Sequence, residues 1–161
     1  MDTSTAIYLS MGLPALGVIL NLMLRHQANI RDTITFGVAF LTFFCVLCIL
    51  ANEGSERSET FVGFSIMRGL DIAFNVEPLG LLFAVLASGL WMVTHLYGVG
   101  YMRGNNEKDH ARFFACFSFA IFSVMGIAFS ANMFSLFLFY EALTVSTYPL
   151  VAHKGTLEAI K

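Results

Sequence analysis

The chain has 161 residues, of which 57% are apolar, 14% aromatic and 12% charged, with a net charge of −2 and a mean hydropathy of +0.74. A soluble domain carries roughly 25% charged residues, so an ordinary water-soluble enzyme is excluded by composition. The slightly acidic balance leaves no basic footprint for nucleic acid, and three cysteines make no disulfide framework.

The first apolar run covers residues 6–24. Before it stand Met1, Asp2, Thr3, Ser4 and Thr5, with no positively charged n-region, so a retained helix is expected rather than a secretory signal. Four more runs follow at 34–51, 78–102, 113–131 and 133–152. Each run is 18 to 25 residues long, and about 20 helical residues cross a hydrocarbon layer of about 30 Å. Four of the runs contain no Asp, Glu, Lys or Arg, and the fifth contains Glu141 alone.

Between the second and third runs lies the longest polar segment. There Leu70, Ile72, Phe74 and Val76 alternate with Asp71, Ala73, Asn75 and Glu77, the period of a half-buried strand. Phe61 to Met67 is strand-like in composition, and Arg68-Gly69 offers a turn. An external β-hairpin over about 61–77, apolar on one face, is expected. Ser130-Ala131-Asn132 is the polar break between the last two runs, which predicts a tight antiparallel helix pair.

The fold class expected is an all-α membrane protein. It forms a single membrane domain over 1–161, with about five transmembrane helices and the hairpin between helices 2 and 3. Arg25, Arg31, Arg103, Lys108, Arg112, Lys154 and Lys161 fall on one side, against Arg57 and Arg68 on the other. The positive-inside rule then puts the N-terminus outside and the C-terminus in the cytoplasm.

Glu141 is the chemical focus. It lies about eight residues into the fifth run, so at roughly 1.5 Å per residue it sits about 12 Å deep, near mid-membrane. Hydrocarbon favours the neutral acid and a nearby cation favours the carboxylate, so a cation that comes and goes would switch its proton affinity. The plainer alternative is a permanently protonated Glu bonded to a neighbouring helix. Residues three and four apart share a helix face, and Glu141, Thr144 and Tyr148 form such a face. Ser146 and Thr147 are near in sequence, and Pro149 frees the carbonyl of Val145. These hydroxyls either order water along a proton path or bond their own backbone; both readings stand.

His95, near the cytoplasmic end of the third run, and His153, just beyond the fifth, are further proton-path candidates because imidazole titrates near neutrality. His95 equally suits a carbonyl partner, and His153 an interfacial anchor. Cys45 and Cys48 match C-x-x-C, but with no second ligand pair they read, like Cys116, as apolar packers. Gly80, Ala84, Ala87 and Ser88 give the third run a small-residue face for close helix approach, and Gly12, Pro14 and Gly17 suit the first run to the same use. No metal or cofactor site is expected.

Three stretches resemble a known family. They are Phe74-Asn75-Val76-Glu77-Pro78-Leu79-Gly80-Leu81-Leu82-Phe83, Tyr97-Gly98-Val99-Gly100-Tyr101-Met102, and Phe137 to Val151 with Tyr140-Glu141-Ala142 at its centre. They are similar to the proton-conducting antiporter-like subunits of Mrp-type cation/proton antiporters, respiratory complex I and membrane-bound hydrogenases. The wording is nearest to the D-type member of the Mrp group. The likeness is to the N-terminal third of a protein with about fourteen helices.

By that resemblance Glu141 matches the fifth-helix glutamate, which pairs with a lysine on the seventh helix, outside this chain. The resemblance implies a proton or cation/proton antiport subunit in a bacterial-type inner (cytoplasmic) membrane, without a catalytic site of its own. It would serve an NADH:quinone oxidoreductase-like or hydrogenase-like translocase or an antiporter. Its partners would be other membrane subunits, the lipid bilayer, and protons or Na+. The alternative is a non-conducting structural or assembly subunit that keeps the family's packing surfaces.

Overall fold

A computed structural model describes residues 3–52, 60–67, 70–105 and 109–151. The elements in order are α1 (Thr3–Met23), α2 (Ala28–Asn52), β1 (Phe61–Met67), β2 (Leu70–Phe74), α3 (Pro78–Gly104), α4 (His110–Ala128) and α5 (Met133–Val151). Pro78 opens α3 behind an extended Glu77, at the helix position where a missing N–H does no harm. Asp109, at φ 58°, turns the chain into α4 in a left-handed conformation that Asp tolerates better than most residues.

Helices α1 to α4 are each long and apolar enough to cross a membrane, and the chain is a multi-pass membrane protein. The fifth run also forms a helix, but α5 is not among those four.

Helix α1 packs on α2 and α4, and α3 packs on the same two helices. These four enclose a core that includes Ile7, Ala39, Val46, Leu81, Trp91 and Met125. Their outward surface is also apolar, with Leu16, Phe40, Phe44, Leu90 and Val93 exposed. A helix that is greasy all round is suited to hydrocarbon on its outer side. Helix α5 sits outside this group, against α4 and β2.

Small residues set the closest approaches. A Cβ on Gly80 would overlap the carbonyl oxygen of Ala128, and one on Gly126 would overlap the ring of Phe139. Ala84 and Ser88 are fully buried on the same face of α3 as Gly80. On α1, Pro14 and Gly17 are buried, whereas Gly12 has open space beside it.

The hairpin is a two-stranded antiparallel sheet, pairing Phe61 with Phe74 and Ser65 with Asp71, with irregularities between Val62 and Phe64 and between Ser65 and Met67. Its expected Arg68-Gly69 turn lies outside the described residues. The second strand ends at Phe74 rather than Glu77, because the chain there exchanges its sister strand for the α4–α5 turn. The N–H of Asn75 donates to Phe129 O at 2.8 Å, and that of Ala131 donates to Ala73 O at 2.9 Å. Ser135 Oγ accepts from the Ala73 N–H at 3.0 Å.

Phe74 carries the apolar side of the docking. Its ring meets Tyr8 of α1 edge-on at 6.2 Å and Phe139 of α5 at 5.9 Å, and Phe139 in turn meets Phe122 of α4 at 5.7 Å. A lone two-stranded hairpin is marginal; this one is anchored to three helices.

Candidate functional site

Helix α5 begins with a built cap. Asn132 Oδ1 accepts from the N–H of Ser135 at 2.7 Å, while its Nδ2 donates to Asp71 O of the hairpin at 2.7 Å. The cap satisfies one orphan amide of the helix start and ties α5 to β2. Phe139 and Ser146 then turn inward and are buried, and this fixes what the other faces present.

Glu141, Thr144 and Tyr148 all lie on the outward side and are exposed. Around them stand Phe137, Tyr140 and Val145, the last at 68% exposure. Among the described residues the ion pairs are Arg31–Asp32 and Arg103–Asp32, so Glu141 has no cation beside it here. The hydroxyls of this helix bond their own backbone: Thr144 to Tyr140 O at 3.0 Å, Ser146 to Leu143 O at 2.6 Å, and Thr147 to Thr144 O at 2.8 Å. Hydroxyls engaged in this way still offer acceptor lone pairs.

His95 is not part of that face. It is buried in α3, where its Nε2 lies 3.0 Å from the carbonyl oxygen of Asp32 and its ring meets Phe114 edge-on at 4.9 Å. A carbonyl only accepts, so Nε2 carries the proton. Its Nδ1 has no hydrogen-bond partner among the described residues. The structure therefore separates His95 from Glu141, Thr144 and Tyr148, while His153 lies outside the described residues.

Around His95 lies a charged cluster that the sequence reading passed over. Asp32 Oδ1 accepts from Arg31 Nε at 3.0 Å and Nη2 at 2.7 Å, and Oδ2 accepts from Arg103 Nη2 at 2.6 Å. The guanidinium of Arg31 also lies over the Phe114 ring, 5.5 Å from its centroid. Arg31 and Asp32 are buried inside helix α2, which starts at Ala28 rather than at residue 34. An apolar-run search stops at such a pair, yet mutual neutralisation lets the helix continue through it. The signal available was Asp32 itself, an acid among Arg25, Arg31, Arg103 and Arg112.

A second internal polar group joins three helices. Asn21 Nδ2 donates to Gly17 O at 2.7 Å and reaches Ser118 Oγ at 3.4 Å, and Thr35 Oγ1 lies 3.1 Å from Asn21 Oδ1. No group of three or more His, Cys, Asp or Glu side chains among the described residues could hold a metal ion. Cys45, Cys48 and Cys116 are free thiols.

Residues 67–114 match the family described as NADH-ubiquinone oxidoreductase (complex I), chain 5 N-terminus. That segment takes in His95 and Arg103 and stops short of Glu141. An NADH-quinone oxidoreductase subunit L of Neisseria meningitidis serogroup B is 31% identical over 115 residues, covering 70% of this chain and 17% of that protein. The chloroplastic NAD(P)H-quinone oxidoreductase subunit 5 of Chaetosphaeridium globosum is 30% identical over 136 residues, 82% of this chain and 20% of the relative. A Na(+)/H(+) antiporter subunit A1 of Staphylococcus aureus is 29% identical over 84 residues, 52% of this chain and 10% of the relative. The chain thus spans a fifth or less of the length of these three relatives. An apolar helical fold with a docked hairpin, the matched segment and these relatives agree: the chain belongs to the antiporter-like subunit family of complex I and Mrp-type antiporters, as its N-terminal portion.

Proposed function

We propose that this chain is a proton-translocating or cation/proton-antiporting subunit of a multisubunit membrane complex, with Glu141 as its proton acceptor and gate. The observation that carries the reading is the carboxylate of Glu141 standing on the outward face of α5 amid Phe137, Tyr140 and Val145. In this reading α5 is a fifth span, the N-terminus faces outward and the C-terminus the cytoplasm, in a bacterial-type inner membrane. The face carrying Glu141 meets a lysine supplied from outside this chain.

The chemistry follows from solvation. In hydrocarbon an unaccompanied carboxylate takes up a proton, and an ammonium within about 4–6 Å favours its release. Movement of the lysine toward and away from Glu141 would then load and unload a proton. Thr144 and Tyr148, on the same face, would hold water beside it through their free lone pairs.

The experiment is Glu141→Gln in the assembled complex, with proton and Na+ movement followed in vesicles. Transport is expected to be lost while assembly persists. Unchanged transport in the assembled variant would refute the gate and return the chain to a structural, non-conducting role.

A further inference from the structure

At the end of the helix group that carries Asp32, an open groove of about 730 Å³ lies between the end of α1, the start of α2 and the start of α4. Arg25, His26, Arg31, Asp109, His110 and Arg112 contribute to its lining, with Leu22 at its edge. Arg31 is committed to Asp32. Arg25 and Arg112 are exposed, and neither forms an ion pair among the described residues. Arg25 donates through Nε to His26 Nε2 at 3.0 Å, which leaves its terminal N–H groups for another acceptor. Among the described residues of the lining, Asp109 is the one carboxylate beside Arg25 and Arg112, so the described lining keeps a positive balance. The first turn of α4 adds the positive end of its dipole.

The cup does not end in water on every side. Leu16, Ile19 and Leu22 follow one another at three-residue spacing up α1, and they are 54%, 54% and 53% exposed. Residues at that spacing are neighbours on a helix surface. A cationic cup at the helix ends thus runs into an apolar strip along the helix. That pairing matches one chemistry: an anionic phosphate headgroup attached to an acyl chain. Basic pockets between membrane helices at the headgroup level are suited to such lipids.

We propose that this groove binds an anionic phospholipid, with Arg25 and Arg112 holding the phosphate and the acyl chain lying along Leu22, Ile19 and Leu16. Arginine suits the task because its planar fork meets two phosphate oxygens at once. The site is independent of Glu141 and of transport.

The test is native mass spectrometry of the full chain in detergent, titrated with phosphatidylglycerol or phosphatidylcholine. Preferential retention of phosphatidylglycerol is expected. An Arg25→Gln, Arg112→Gln double variant is expected to weaken it roughly 30-fold, which is about 2 kcal/mol at about 1.4 kcal/mol per tenfold. The Arg25→Lys, Arg112→Lys variant keeps both charges and should retain most of the binding, which separates loss of the site from loss of the fold. Equal retention of phosphatidylcholine, or undiminished binding in the glutamine variant, overturns the proposal. Displacement of the lipid by millimolar inorganic phosphate also overturns it, in favour of a free-anion site. If the glutamine variant does not fold, the choice between the two lipids and the phosphate competition decide the matter on the natural chain.

Discussion

Gly80→Ala is the most informative single perturbation of the fold. A methyl there would overlap the carbonyl oxygen of Ala128 and lie 3.2 Å from its carbonyl carbon, so the first turn of α3 must move away from the end of α4. Backbone, not a flexible side chain, is in the way. The same short stretch carries the bonds from Asn75 N–H to Phe129 O and from Ala131 N–H to Ala73 O. Overpacking costs about 1–3 kcal/mol, and each strained hydrogen bond adds about 0.5–1.5 kcal/mol. Replacing Gly by Ala in a helix returns about 1 kcal/mol, so with both bonds strained a net loss of about 1–5 kcal/mol is expected. Gly100→Ala is the matched control in the same helix, since nothing lies within 4 Å of a Cβ there. It should be neutral or stabilising by up to about 1 kcal/mol. Unfolding midpoints of the purified chains in detergent provide the comparison. If Gly80→Ala is as stable as the natural chain, or Gly100→Ala loses as much, the α3–α4 approach is not as described.

Asp32→Asn leaves the buried Arg31 without its counterion and should cost about 3–5 kcal/mol, seen as a large drop in unfolding midpoint. Arg103→Gln should cost no more than about 1 kcal/mol in the same assay, because the Arg103 side chain is 45% exposed. Phe74→Ala removes the ring shared by α1, β2 and α5 and should cost about 3–5 kcal/mol; faster proteolysis between β1 and α3 would report hairpin release, and an unchanged cleavage rate would contradict the docking. Glu141→Gln should leave the unfolding midpoint of the isolated chain unchanged within about 0.5 kcal/mol, since Glu141 is exposed and unpaired among the described residues.

The helices were legible because hydrocarbon imposes length and the near-exclusion of charge, and both can be counted along a chain. The hairpin was legible because Leu70, Ile72, Phe74 and Val76 keep period two. The start of α2 was not. Arg31 and Asp32 look like loop residues until Arg103 and His95, far along the chain, are brought beside them. The direction faced by Glu141 was hidden for a similar reason. Which side of α5 turns inward depends on Phe139 seating against Gly126, a pairing between two helices that neither helix announces alone.

Asp32 and Glu141 are held in opposite ways. Both oxygens of Asp32 accept charge-assisted bonds from arginines. Without that carboxylate the buried Arg31 guanidinium would be uncompensated, so Asp32 fastens α2 to α3. Glu141 has no such commitment among the described residues, and its helix is held by other means: the Asn132 cap, the Gly126–Phe139 contact and the β2 bonds. In the proposed gate, Glu141 can therefore meet an external cation without giving up a bond that holds α5.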